Sequence, residues 1–361
     1  MSPARGRWLA VAGARPNLVK LAPLVRAARR ARHALPWVHT GQHWDEALSD
    51  SVRRDVGLPA PCENLEVGPG DPAAQTARIL ERLAPVLVRR RPSVVVVVGD
   101  VTSTVAAAVA AAHAGVPVAH VESGLRSFDP RMVEERNRIL VDRLSDRLYV
   151  TEPVGAVNLR REGVPRHRVR LVGSPLADAL AAARPALARR SGPPRGEALA
   201  TLHRAENVDD RRRLTAWCRA LADLARRVPV RFPVHPRTRD RLDAWHLRAR
   251  LEEAGVTLDE PLAYLDFLAA LAGARLVLTD SGGVPEEASI LGIPCLTLRG
   301  RTEKPWTLSH GTNRLAGEDP RRLAAAVRSI LERPPRPRAG GLVWDGHASE
   351  RIVADLARHY V

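Results

Sequence analysis

Short apolar runs alternate with longer segments whose apolar positions fall three and four apart. Residues 8–12 (WLAVA) form the first run and end at Gly13-Ala14-Arg15-Pro16-Asn17. Leu21, Leu24 and Val25 then follow at helical spacing, with Pro16 suited to a first helical turn. A second run, 36–39, ends at Thr40-Gly41-Gln42-His43, and a loop over 66–71 precedes a helix over 73–90. Five consecutive valines, 94–98, lead into Gly99 and Asp100, and a continuous apolar run of that length predicts a strand buried on both faces. After an alanine-rich helix, the run 116–121 ends at Glu122, and the charged cluster Glu134-Glu135-Arg136-Asn137-Arg138 opens another periodic segment. Runs at 147–150 and 169–172 close this series.

Gly173-Ser174-Pro175 marks the predicted crossing to a second domain, and the loop Ser191–Gly196 precedes that domain's first strand. Further runs at 198–204, 229–234, 275–279 and 293–298 repeat the alternation, and a proline-rich stretch, 334–338, leads to a final helix at 348–360. Strands alternating with helices predict an α/β chain of two Rossmann-like, doubly wound parallel-sheet domains, residues 1–174 and 175–347, with a cleft between them. A length of 361 residues suits two cores better than one.

Composition narrows the picture only a little. Apolar residues make up 45% and charged residues 27%, and no apolar run is long enough to cross a membrane. The opening residues lack the pattern of a secretory signal, so a cytoplasmic location with no membrane insertion is expected. Cys62, Cys218 and Cys295 are too scattered for a zinc site or a disulfide framework, and no metal is expected. The net charge of +16 raises nucleic acid as a partner, but the arginines run along helix-like stretches without interleaved aromatics. They read as solvated faces, and an anionic small substrate fits the charge equally well. Of the 56 Lys and Arg residues only Lys20 and Lys304 are lysine, and both fall in stretches singled out on other grounds.

Ligands of parallel sheets gather at the carboxyl ends of the strands. Asp100 and Glu122 sit there, with Glu134 close behind in sequence. Arg15 and Lys20 flank a strand–turn–helix junction, where free N–H groups and the helix dipole favour an anion; exposed charge on a surface turn is the alternative. Thr279-Asp280-Ser281-Gly282-Gly283 enters a helix carrying Glu287. Its glycines would let a phosphate approach the backbone, and Glu287 could accept from ribose hydroxyls; a helix simply capped by Asp280 or Ser281 is the alternative. The turn is neither GxGxxG nor a P-loop, so neither NAD nor ATP hydrolysis is implied. His203, followed by Arg204 at a strand end, can shift protonation near neutral pH and, with the arginine, neutralise a leaving diphosphate. Together these point to a nucleotide-sugar enzyme, and a glycosyltransferase of two Rossmann-like domains would share most of them.

The motifs GARPNLVKLAPLV (13–25), TGQH (40–43), GDVTST (99–104), HVESGLRSFD (120–129), VEERNR (133–138), LHRAENVD (202–209), FPVHPRT (232–238), LTDSGGVPEEASILGIPC (278–295), RTEKP (301–305) and WDGHASERI (344–352) stand in the order and spacing of one family. The chain resembles the non-hydrolysing UDP-N-acetylglucosamine 2-epimerases over nearly its whole length. The resemblance implies a GT-B fold, a homodimer, a final helix (348–361) crossing back onto the first domain, and interconversion of UDP-GlcNAc and UDP-ManNAc without a cofactor. By resemblance Asp100, Glu122 and Glu134 are the acid–base candidates; Arg15, His203 and Ser281, with Gly282 and Gly283, hold the diphosphate; Glu287 holds the ribose; and Lys20 and Arg138 support the site. Gln42, His235 and Lys304 are candidate effector or sugar contacts. The chain departs from the family pattern at Val133, Ser174, Pro285, Lys304 and Trp306, and Trp44 and the loop 68–71 do not match the family's bacterial form. Another 2-acylamino sugar, a hydrolysing relative and a GT-B glycosyltransferase are the competing readings.

Overall fold

A computed structural model describes residues 7–42, 46–190 and 196–360. His43 and Trp44, and the loop 191–195, lie outside the described residues. The chain divides into two units, one of residues 1–182 with 341–361 and the other of residues 183–340, so the chain passes between them within the helix Pro175–Arg190.

The first unit carries a seven-stranded sheet: β1 (Trp8–Ala12), β2 (Trp37–His39), β3 (Glu63–Asn64), β4 (Val94–Val98), β5 (Val118–Ser123), β6 (Arg147–Val150) and β7 (Val169–Leu171). Their order is β3-β2-β1-β4-β5-β6-β7, and every recorded pairing is parallel. The reversal of strand order lies between β1 and β4, where an open parallel sheet places its ligand site. The five valines of β4 are buried on both faces, as a central strand requires. Helices Pro72–Arg90 and Thr102–His113 lie against each other beside it, and the alanines of the second let the backbones approach closely.

The second unit carries six strands, β8 (Ala198–Thr201), β9 (Val230–Pro233), β10 (Val256–Asp259), β11 (Leu276–Thr279), β12 (Cys295–Thr297) and β13 (Asn313–Leu315), in the order β10-β9-β8-β11-β12-β13, again all parallel. Its core gathers around Trp217, Phe232, Leu278 and Leu296. Strands β3, β10 and β13 were not foreseen. Each lies at or near a sheet edge, and Glu63–Asn64 and Asn313–Leu315 are short and partly polar, so neither shows a buried strand's apolar run.

The final helix, Ala348–His359, belongs to the first unit and packs on the helix Arg15–Arg30. Its first amides, on Ala348 and Ser349, donate to Asp178 at 3.1 and 2.6 Å. Further along, Asp355 accepts two bonds of 2.6 Å from Arg147 and one of 3.0 Å from Tyr149 Oη. Burial raises the Asp355 carboxyl, but the Arg147 guanidinium outweighs it and holds the group below the usual carboxylate range.

Candidate active site

In the first unit the strand ends place two carboxylates, each gripped by a cation from a neighbouring helix. Asp100 follows β4, and its carboxylate accepts from Arg138 Nη2. Its backbone carbonyl accepts from Asn137 Nδ2 at 2.9 Å, so adjacent residues of one helix, Val133–Leu144, hold both ends of the residue. Arg138 is itself aimed by Glu135, 2.6 Å from Nη1. Glu135 also accepts the amides of Ser127 and Phe128, both at 2.9 Å. Burial works to raise Glu135, but those amides and Arg138 hold it below the ordinary range. Glu134, the acid–base candidate of the cluster, is half-buried and lies one turn before Arg138 on the same helix face.

Glu122, the last residue but one of β5, has an unusual backbone state. Its φ is 74°, in the left-handed region, and the β5–β6 register shifts between Val121 and Ser123. A non-glycine residue held there costs about 1–3 kcal/mol, and such strain with a bulge re-aims a side chain. The re-aimed carboxylate is buried and bonded to Lys20 Nζ from the helix Arg15–Arg30. Gly99 lies between the two carboxylates. At φ 73° it needs glycine's freedom, and a Cβ there would lie 3.2 Å from Asn17 Nδ2 and 3.5 Å from Glu122 Oε2. Asn17, in turn, donates to the carbonyl of Val98. Arg15 opens the same helix. Gln42 sits deeper: its Oε1 accepts from the Ser103 amide at 3.3 Å, and its carbonyl accepts from Gln75 at 2.8 Å, so it fastens its loop to two helices.

In the second unit the strand ends carry a different arrangement. Asp280, at the end of β11, is fully buried. It accepts from the backbone amides of His203 and Arg204 and from Asn207 Nδ2, all at 3.0–3.1 Å. His203 Nδ1 also lies 3.2 Å from it, so Asp280 orients both the backbone and the ring of His203. Asp280 therefore does not cap the following helix, Val284–Leu291, whose N-cap is Gly283. The Ser281 hydroxyl accepts the Gly283 amide at 3.3 Å and shapes the turn, while Gly282 lies against the Arg204 guanidinium, 3.5 Å from where a Cβ would stand. His235 caps the helix Pro236–Ala244 through the Arg237 amide, and its ring is 5.6 Å from that of His203.

Glu287 is buried on the helix after the glycine turn and accepts from Tyr264 Oη at 3.2 Å. Burial, then the Glu287 charge, pushes the Tyr264 phenol well up, so it stays a donor. Its neighbour Glu286 is bonded to Lys304 Nζ. Each lysine of the chain thus forms a buried or nearly buried pair with a glutamate. Trp306 stacks on His310 with ring centroids 3.5 Å apart. Among the described residues no group of His, Cys, Asp and Glu is arranged to hold a metal ion, and no helix is long and apolar enough to cross a membrane.

Several participants were invisible along the chain. Asn17, Glu135 and Asn137 lie inside quoted motifs without a role of their own, and Tyr264 lies in no motif at all. The backbone strain at Glu122 has no sequence signature at all.

Residues 26–357 match the model of the UDP-N-acetylglucosamine 2-epimerase family. The chain is 36% identical to the UDP-N-acetylglucosamine 2-epimerase of Methanocaldococcus jannaschii, covering 96% of this chain and 97% of the relative. It is 39% identical to the UDP-2,3-diacetamido-2,3-dideoxy-D-glucuronate 2-epimerase of Pseudomonas aeruginosa, covering 97% and 99%. The crystal structure of the M. jannaschii enzyme in complex with UDP-GlcNAc and UDP superposes with a TM-score of 0.87 at 35% identity, over 97% of this chain and 99% of that one.

Proposed function

Given that the chain belongs to the UDP-N-acetylglucosamine 2-epimerase family and has its GT-B fold, we propose that it interconverts UDP-GlcNAc and UDP-ManNAc by elimination and re-addition of UDP. The C2 proton of the sugar is too weakly acidic for simple removal, so its loss is coupled to departure of the nucleotide. A carboxylate takes the C2 proton, the C2–H electrons form the C1=C2 bond of 2-acetamidoglucal, and the C1–O bond breaks onto the diphosphate. The return step delivers a proton to the opposite face of C2 while a diphosphate oxygen re-forms the bond to C1. The reaction needs two proton-transfer groups and a stabilised leaving group.

The observation that carries this reading is the pair Asp100 and Glu122 at neighbouring strand ends, the first bonded to Arg138 and the second to Lys20. Together with Glu134 they are our acid–base groups, with Arg138 and Lys20 holding them. In the second unit Arg204, His203 and the Ser281-Gly282-Gly283 turn supply cation, hydroxyl and amide donors suited to a diphosphate, and Glu287, kept accepting by Tyr264, suits a ribose; in the first unit Arg15 is the anion-binding candidate. By the same reading the protein is a cytoplasmic homodimer that provides UDP-ManNAc for polysaccharide biosynthesis.

Proton NMR of UDP-GlcNAc incubated with the protein in deuterated water tests the reaction. Solvent deuterium should enter C2 and UDP-ManNAc should accumulate; absence of both, with UDP-GlcNAc in excess, rejects it. The 39% identity to a diacetamido-glucuronate epimerase supports a second reading, in which the sugar is a UDP-2,3-diacetamido uronate. Running both UDP-sugars side by side and comparing kcat/KM decides between them.

A further inference from the structure

Behind the two carboxylates lies a chain of four ionisable side chains, three of them buried, that the proton transfers do not use. His120 on β5 and Asp142 on the helix Val133–Leu144 are both fully buried. His120 Nδ1 lies 2.7 Å from Asp142 Oδ1, and Nε2 lies 2.9 Å from the carbonyl oxygen of Gly99. Asp142 Oδ2 accepts the Gly124 amide at 3.0 Å and lies 2.8 Å from Arg126 Nη1. Arg126 in turn makes a two-point contact with Glu162, at 2.7 and 2.8 Å.

Both ring nitrogens of His120 thus face oxygen acceptors. A carbonyl cannot donate, and burial of Asp142 is outweighed by His120 and Arg126, which hold its carboxyl below the usual range. A neutral imidazole would set one lone pair against an oxygen lone pair, whereas an imidazolium satisfies both contacts. With His120 and Arg126 positive and Asp142 and Glu162 negative, the chain is neutral overall, the condition under which buried charge is tolerable.

The placement gives this charge a task. Gly99 is fixed through both backbone groups by β5: its amide donates to Val121 at 3.0 Å and its carbonyl receives His120 Nε2. Asp100 is the next residue. On the other side, Asp142 anchors Gly124, two residues beyond the strained Glu122. Gly124 can be nothing larger, since a Cβ there would lie 2.5 Å from the Gly155 carbonyl.

We propose that His120 is a positioning residue: a buried imidazolium that, through Asp142, ties the backbone turns bearing Asp100 and Glu122 into one rigid frame. The inference rests on the acid–base role given to those carboxylates.

The test has two parts. In the wild-type protein, 15N NMR of the histidine rings, with the His120 signal assigned by its loss in His120→Gln, should show protons on both ring nitrogens at the pH of the assay. One unprotonated nitrogen overturns the proposal, and this measurement stands whether or not the variant folds. In His120→Gln, which keeps an amide donor but no charge, kcat for UDP-GlcNAc epimerisation should fall about 100-fold, the scale of a misplacement of about 1 Å. KM and UDP affinity should stay within about threefold of wild type, because the lost interaction positions reacting groups and does not bind the nucleotide. A kcat within about threefold of wild type, or parallel loss of kcat and UDP affinity, overturns it. If the wild-type protein itself leaves UDP-GlcNAc unchanged, the substrate assignment has failed, and the ring-nitrogen spectrum still decides the state of His120.

Discussion

On the proposed reading, the two units use carboxylates at equivalent places for opposite purposes. Asp100 and Asp280 each follow a central strand of a parallel sheet. Asp100 has a 30% exposed side chain and is held by the Arg138 guanidinium. Asp280 is fully buried and surrounded by two backbone amides, an asparagine amide and His203. A carboxylate held by one cation and open on its other side can exchange a proton with a substrate. One saturated by fixed donors cannot, but it can hold a loop in shape. The residue type is shared, and the number and kind of donors around it separates chemistry from scaffolding.

Replacing each residue breaks the comparison most directly. Asp100→Asn keeps the shape and should lower turnover by about 10³-fold or more, within the range of acid–base contributions, while UDP affinity changes little. Deuterium exchange at C2 and calorimetric UDP titration read the two quantities separately. Asp280→Ala should act the other way: orphaning buried donors should cost about 3 kcal/mol in denaturant unfolding and abolish UDP binding. If Asp280→Ala left UDP affinity intact, its loop-shaping role would be wrong.

A smaller effect sharpens the first unit's side. Gly99→Ala introduces a Cβ 3.2 Å from Asn17 Nδ2 at a left-handed φ, and should reduce kcat about tenfold or more while costing about 1 kcal/mol or more of stability. On the second unit's side, Tyr264→Phe removes one donor from Glu287 and should weaken UDP binding by about 1 kcal/mol, a fivefold rise in Kd or so, with kcat nearly unchanged.

The mildest test is pH. Glu135, Asp142 and Asp355 are all held below the ordinary carboxylate range. Their stabilising contribution is therefore complete above the unfolded value of about 4 and is lost as pH falls through their folded values. Asp178, raised by burial, works in the opposite sense. Thermal unfolding should show a first-unit midpoint that declines below about pH 4, and Asp355→Asn should flatten part of that decline.

Much of this molecule is legible along the chain. The alternation of apolar runs and helical segments fixes two parallel sheets, because a strand buried on both faces must be continuously apolar and a covering helix must show one apolar stripe. Candidate residues such as Asp100 and Glu122 also stand out, since they fall where strands end. Tertiary structure alone decided their partners. Lys20 reaches Glu122 across 102 residues, and Arg138 reaches Asp100 across 38. It also decided that Glu122 adopts a left-handed backbone, that Asp280 is a hub and not a helix cap, and that His120 faces two acceptors. Periodicity and turn chemistry are local properties that a sequence displays directly. The donors around a buried carboxylate come from segments far apart in the chain, and only the closed packing of the sheet brings them within bonding distance.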